Sequence, residues 1–101
     1  MIRKELTGKQ KSFLRSMGMS IEPVVQIGKE GVTPEVVESA KEAIKKRELI
    51  KVKVLQNSPE DAADAIEKLA ERANSEIAQI IGRCGLLYKK NSEKPKIELP
   101  K

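Results

Sequence analysis

Between residues 24 and 34 the chain passes from a short apolar stretch through two glycines into a helix start. Thr33 is a good helix N-cap, and Pro34 suits the first helical position. The loop of residues 28–31 therefore brings two glycines and a lysine to the positive end of a helix dipole, where a phosphate can bind. The pattern predicts a buried strand, a glycine loop and a helix in immediate succession.

The loop has a structural interpretation as well as a functional one. Glycines between a strand and a helix are ordinary turn residues, and Glu30 places a phosphate-repelling carboxylate inside the loop. Against this, Gly-x-x-Gly loops clamp the nucleic-acid backbone in other single-strand binders. The motif alone leaves both interpretations open.

The clearest strand covers residues 48–54, where apolar and charged residues alternate. The alternation gives the strand two different faces: Ile50, Val52 and Val54 on one, and Leu49, Lys51 and Lys53 on the other. One face is therefore expected to pack on helices, while the other meets solvent or a partner.

The remaining pattern predicts two more helices and two more strands around these elements. A capping box at Thr7 opens a helix over residues 8–17, with Phe13, Leu14 and Met17 on its buried face. The other new helix is expected to start from an N-cap at Ser58, and the new strands cover residues 76–81 and 84–89. The helix already predicted from residue 34 should run to about residue 46. This order predicts an α/β fold, a two-layer sandwich with a mixed four-stranded sheet and three helices on one side.

Length and residue usage limit the possible functions. We expect one domain over residues 1–101, with residues 91–101 as a weakly packed tail. The chain has no histidine and only one cysteine, Cys84, so neither a metal site nor a catalytic residue nor a cofactor is predicted. No apolar run has membrane-spanning length, and the start of the chain has no apolar signal core, so a cytoplasmic protein is expected.

The charge is unevenly distributed along the chain. The net charge is +5, with 12 basic against 7 acidic residues over 1–55, 2 against 6 over 56–81, and 6 against 2 over 82–101. One part of the surface can therefore face a polyanion while another faces away, although segregated charge is also common on solvated surfaces.

Four motifs together resemble a known family. They are LTGKQK from residue 6, PVVQIGKEGVT from residue 23, ELIKVKV from residue 48 and IGRCGLLY from residue 81. In order and spacing they resemble the YhbY family, the bacterial stand-alone form of the CRM (chloroplast RNA splicing and ribosome maturation) domain. The resemblance implies RNA binding in precursors of the large ribosomal subunit, and a fold similar to the C-terminal domain of translation initiation factor 3.

The resemblance also implies that the glycine loop touches RNA. With the basic residues, the expected RNA-binding set is Gly28, Lys29, Glu30, Gly31, Arg3, Lys4, Lys9, Lys11, Arg15, Lys51 and Arg83, and Lys53 is a further candidate. Tyr88 is the one residue that could stack on a base, and it could equally lie at the edge of the core. Phosphate contacts should therefore dominate, with selectivity coming from RNA shape. The alternative is a protein-binding adaptor that places the same basic surface on an acidic partner.

Overall fold

A sheet with strand order β1-β2-β4-β3 organises the chain in the computed structural model, which describes residues 6–90 and residue 97. Within these residues three helices and four strands follow one another as predicted: α1 (Gly8–Gly18), β1 (Pro23–Ile27), α2 (Pro34–Arg47), β2 (Leu49–Val54), α3 (Ala62–Arg72), β3 (Glu76–Ile81) and β4 (Cys84–Tyr88). The α/β class and the four-stranded mixed sheet are confirmed. No helix in this part of the chain is both long and apolar enough to cross a membrane.

The strand directions decide which loops share an end of the sheet. β1 and β2 are parallel, with Ile27 beside Val54, whereas β4 runs antiparallel between β2 and β3. Leu49 at the start of β2 therefore lies beside Tyr88 at the end of β4. The loops after β1 and β2 and the β3–β4 turn meet at one end of the sheet, and the end of α2 meets the end of β4 at the other.

The predicted two-layer arrangement is wrong, because α1 lies on the opposite face of the sheet from α2 and α3. The larger core joins α2 and α3 to the face of β2 that carries Ile50, Val52 and Val54. A second cluster joins Leu14 of α1 to the opposite face, at Leu49, Ala78, Leu86 and Tyr88. These four side chains make the second face apolar enough to need its own cover.

Local capping explains where α1 begins, but α3 begins without a capping side chain. Thr7 and Gln10 form the predicted capping box of α1, with Thr7 Oγ1 accepting from the Gln10 N–H at 3.1 Å. The predicted start of α3 at Ser58 is wrong, since the helix begins at Ala62 after Asp61. The Ser58 hydroxyl instead accepts from the Glu60 N–H at 3.4 Å within a turn.

Glu48 is buried between α2 and β2 and has a left-handed backbone (φ 63°). Its side-chain Oε1 accepts a hydrogen bond from the Ile97 N–H at 2.6 Å. Ile97 also packs against the smaller apolar cluster under α1. The Glu48 carboxylate therefore points into the fold, where it is hydrogen-bonded to Ile97, the one described residue of the predicted tail.

The buried Tyr88 should make the free energy of unfolding depend on pH. Desolvation, with the nearby Glu48 carboxylate second, raises the pKa of the Tyr88 phenol above its ordinary 10.0. An unfolded phenol ionises near pH 10, so we expect the free energy of unfolding to fall as the pH rises above that value. Because Tyr88 is the only tyrosine, ultraviolet absorbance of its phenolate in native and unfolded protein measures both pKa values. Tyr88→Phe is the control, and a native phenol that titrates below the unfolded one would contradict the expectation.

Candidate nucleic-acid interface

The glycine loop is a tight turn between β1 and α2. The Gly31 N–H donates to the Gly28 carbonyl at 3.0 Å, which leaves Lys29 and Glu30 exposed at the tip. Gly31 has a left-handed backbone (φ +74°), whereas Gly28 does not. The turn therefore needs a glycine at Gly31, and it presents the lysine to solvent together with the neighbouring carboxylate.

The turn leads directly into the N-terminus of α2. As predicted, Thr33 is the N-cap, with its Oγ1 accepting from the Val36 N–H at 3.2 Å, and Pro34 occupies the first turn. Lys29 thus lies five residues before the first residue of a 14-residue helix, whose dipole is positive at this end. The arrangement can attract an anion, but Glu30 at the same tip opposes one.

Hydrogen bonds join the turn to two other segments at the same end of the sheet. The Leu55 N–H donates to the Ile27 carbonyl at 2.8 Å, and Arg83 Nη1 donates to the Leu55 carbonyl at 3.4 Å. On the other side of the turn, Arg72 of α3 donates to the Val32 carbonyl at 3.1 Å. We call the surface formed by residues 28–33, 55–61 and 82–83 the loop end. It brings Lys29 and the exposed Arg83 onto one rim.

The sheet face that carries α1 continues from this rim. Lys53 is exposed and Lys51 is half-buried, and both share the side of β2 on which Leu49 packs under α1. The basic residues of α1 that were predicted as contacts, Lys9, Lys11 and Arg15, are exposed. The structure thus places these five cations on one side of the sheet, whereas Arg3 and Lys4 lie outside the described residues.

The two aromatic side chains lie in different environments, and only one of them is exposed. Tyr88 is only 3% exposed and lies in the cluster under α1, so it does not present its ring to a base. Phe13, which was assigned to the buried face of α1, is 39% exposed, because α1 contacts the sheet through Leu14 and Gly18 instead. Phe13 is therefore the only exposed aromatic residue of the chain.

Arg72 is the residue of this end that the sequence did not reveal. Its side chain reaches a carbonyl 40 residues away, and no local pattern encodes such a contact. At the sequence level it was simply a cation in the last turn of a helix, where it suits the helix dipole.

A known family model matches the same stretch of the chain that forms the helices and strands. The CRS1/YhbY (CRM) domain model matches residues 6–89, which includes every helix and strand of the described chain. The chain belongs to the CRS1/YhbY (CRM) domain family. The predicted relationship is thereby confirmed, and the glycine loop lies well inside the matched region.

Two relatives and one solved structure align with this CRM chain over almost their whole length. The Bacillus subtilis protein named "Probable RNA-binding protein YqeI" is 47% identical over 95 residues, covering 94% of this chain and 99% of the relative. A Haemophilus influenzae protein named "RNA-binding protein" is 35% identical, covering 95% and 96%. The solution structure of SAV1595 from Staphylococcus aureus superposes with a TM-score of 0.79 at 43% identity, covering 94% and 99%. The fold of this chain is therefore one already seen experimentally.

The two glycines of the loop are expected to differ in their tolerance of alanine. Gly31→Ala should cost about 1 to 2 kcal/mol, because alanine is strained at positive φ, and the new Cβ would lie 3.4 Å from Glu60 Oε1. Gly28→Ala should be nearly neutral, since its Cβ would meet only Leu55 Cδ1 at an ordinary 3.7 Å. Urea unfolding of the two variants measures the difference, and equal stabilities would contradict it.

Proposed function

We propose that this CRM domain binds RNA by holding its phosphate backbone against the loop end and the adjoining basic face of the sheet. The observation that carries the proposal is the exposed Lys29 in a glycine turn at the N-terminus of α2. The names of the B. subtilis and H. influenzae relatives support RNA as the ligand. The finer proposal is ribosomal RNA in cytoplasmic precursors of the large ribosomal subunit, which the resemblance to the YhbY family supports.

Electrostatic attraction supplies most of the binding in this proposal. Lys29, Lys53 and Arg83 lie at or near one rim, while Lys9, Lys11 and Arg15 extend the positive surface along α1. Because Tyr88 is buried, stacking on several aromatic rings does not contribute, and the shape of a folded RNA sets selectivity. The domain then acts as a binding protein, and we assign no catalytic residue or cofactor to it.

The acidic surface of the chain lies on a different element. Asp64, Glu67 and Glu71 are exposed on α3, which packs on the opposite face of the sheet from α1. An RNA held against the α1 face is therefore separated from these carboxylates by the sheet itself. This separation supports the α1 face as the RNA side, whereas at the loop end Lys29 and Arg83 stand beside the carboxylates of Glu30, Glu60 and Asp61.

Replacing Lys29 with glutamate tests the proposal. With about five phosphates neutralised, log affinity should fall against log salt with a slope of roughly −4. Lys29→Glu removes one contact and adds repulsion, so we expect weaker binding and a slope shallower by about one unit. Salt titrations on structured fragments of large-subunit ribosomal RNA measure both quantities.

Lys41→Glu is the matched control for this experiment. Lys41 is exposed on α2, lies 3.9 Å from Glu38, and is outside the proposed surface. The control makes the same change of net charge, so its affinity and slope should stay close to the wild type. Equal effects of the two variants would contradict a specific role for the turn, and a flat salt dependence of the wild type would contradict phosphate binding altogether.

A further inference from the structure

A second group of cations meets at the end of the sheet opposite the loop end. The last turn of α2 carries Lys45, Lys46 and Arg47, and β4 ends immediately before Lys89 and Lys90. Tyr88 pairs with Leu49, and the Lys89 N–H donates to the Glu48 carbonyl at 3.0 Å. Two segments more than 40 residues apart in sequence are thus fastened together. We call the surface of residues 45–47 and 89–90 the α2 end.

Few carboxylates offset this charge among the described residues. Glu48 lies within the α2 end in sequence, but it is fully buried and accepts a hydrogen bond from the Ile97 N–H. Glu76 begins β3 at the same end and is half-buried, and Glu22 lines a groove with Arg47. The exposed Glu42, one turn earlier on α2, is a third carboxylate near the cluster. Five cations against these three carboxylates leave the α2 end positive.

Helix capping explains only part of the cluster. Cations in the last turn of α2 suit the negative end of its dipole, so Lys45, Lys46 and Arg47 have a structural role without any ligand. Lys89 and Lys90 follow a strand and have no such role. Both are exposed, as is Arg47. A local concentration of like charge that the fold does not require favours a polyanionic partner.

The two positive surfaces are too far apart for one phosphate. They are separated by the length of β2, whose six residues span about 17 Å. Building on the proposed function, we propose that the α2 end is a second phosphate-binding surface, so that one domain bridges two separate backbone segments of a folded RNA. The loop end holds one segment and the α2 end holds the other.

Neutralising the strand-end lysines tests the bridge. In Lys89→Gln/Lys90→Gln, two lost contacts should make the salt slope on the same ribosomal RNA fragments shallower by about two units. Hydroxyl-radical footprinting should show two protected backbone stretches with the wild type. We expect the double variant to lose one stretch and Lys29→Glu to weaken the other.

Ser39→Glu/Ala63→Glu is the matched control, because it lowers the net charge by the same amount at exposed positions of α2 and α3. It should keep both protected stretches, and thermal melts should show that all variants fold. If the lysine variant keeps both stretches and the wild-type slope, the bridge is overturned while the proposed function stands. If the wild type itself shows no salt-dependent RNA binding, both proposals are overturned.

Discussion

Replacing Gly85 with valine is expected to lower the free energy of unfolding by about 3 kcal/mol. Gly85 lies in β4, paired with Val52 on one side and Ile80 on the other, so its backbone cannot move away. A Cβ at this position would lie 2.7 Å from Cγ2 and 2.9 Å from Cδ1 of Ile66. Ile66 is itself fully buried in the larger core. Since a domain of this size is stable by about 5 to 15 kcal/mol, the loss is a large fraction.

A double-mutant cycle between Gly85 and Ile66 tests whether their clash causes this loss of stability. Ile66→Ala alone should cost about 2 to 5 kcal/mol by leaving a cavity, but in the Gly85→Val background it also removes the clash. The double variant should therefore lose less stability than the sum of the single variants, as measured by urea unfolding. Gly8→Ala is the control, since no atom lies within 4 Å of its Cβ position and the change favours the helix. Additive losses in the cycle would contradict the proposed contact.

The elements of the fold could be predicted because each has a local cause. The alternation over β2 and the N-cap pair of Thr33 and Pro34 are encoded within a few residues, and the structure shows both. The side of the sheet on which α1 packs has no such local cause. It depends on Leu49 and Leu86, which meet only after the strands have paired.

The wrong start predicted for α3 arises from a local pattern that tertiary contacts override. Ser58 and Pro59 resemble a helix start, but Pro59 packs beside Gly31, where a Cβ would lie 3.5 Å from its Cγ, and the helix begins three residues later. Gly18, the last residue of α1, lies against Leu86, where there is no room for a larger side chain.

The residues of the candidate site could be listed from the sequence, but their grouping could not. Lys29 and Arg83 are 54 residues apart, and they share a rim only because the β1 loop and the β3–β4 turn both contact Leu55. The α2 end has the same origin, since strand pairing alone brings Lys89 to the end of α2.

Reversing Lys29 and Lys53 together is expected to weaken RNA binding by about 30-fold at 0.15 M salt and to make the salt slope shallower by about two units. Each lost phosphate contact reduces the slope of log affinity against log salt by about 0.9. With equal affinities of variant and wild type at 1 M salt, two lost contacts give the roughly 30-fold difference at 0.15 M salt. The two lysines are suited to a joint test because both lie near the loop end, where Ile27 pairs with Val54. Neither is buried, so Lys29→Glu/Lys53→Glu should fold normally.

Lys41→Glu combined with Ser39→Glu and Ala63→Glu is the matched control, because it makes the same change of net charge at exposed positions of α2 and α3. A wild-type slope in Lys29→Glu/Lys53→Glu would contradict the loop end as the RNA surface. The contacts would then have to come from other cations, among them Lys9, Lys11 and Arg15, which are exposed on α1.

The Lys29→Glu/Lys53→Glu variant also separates RNA binding from the protein-adaptor alternative. An acidic protein partner also loses affinity when the cations are reversed, so affinity alone does not distinguish the two. Ribonuclease treatment does, because an adaptor complex isolated from cells keeps its partner after the RNA is digested. A complex that survives digestion but dissociates in Lys29→Glu/Lys53→Glu would assign the loop end to a protein. Loss of the complex on digestion, together with the shallower slope, would assign it to RNA phosphates.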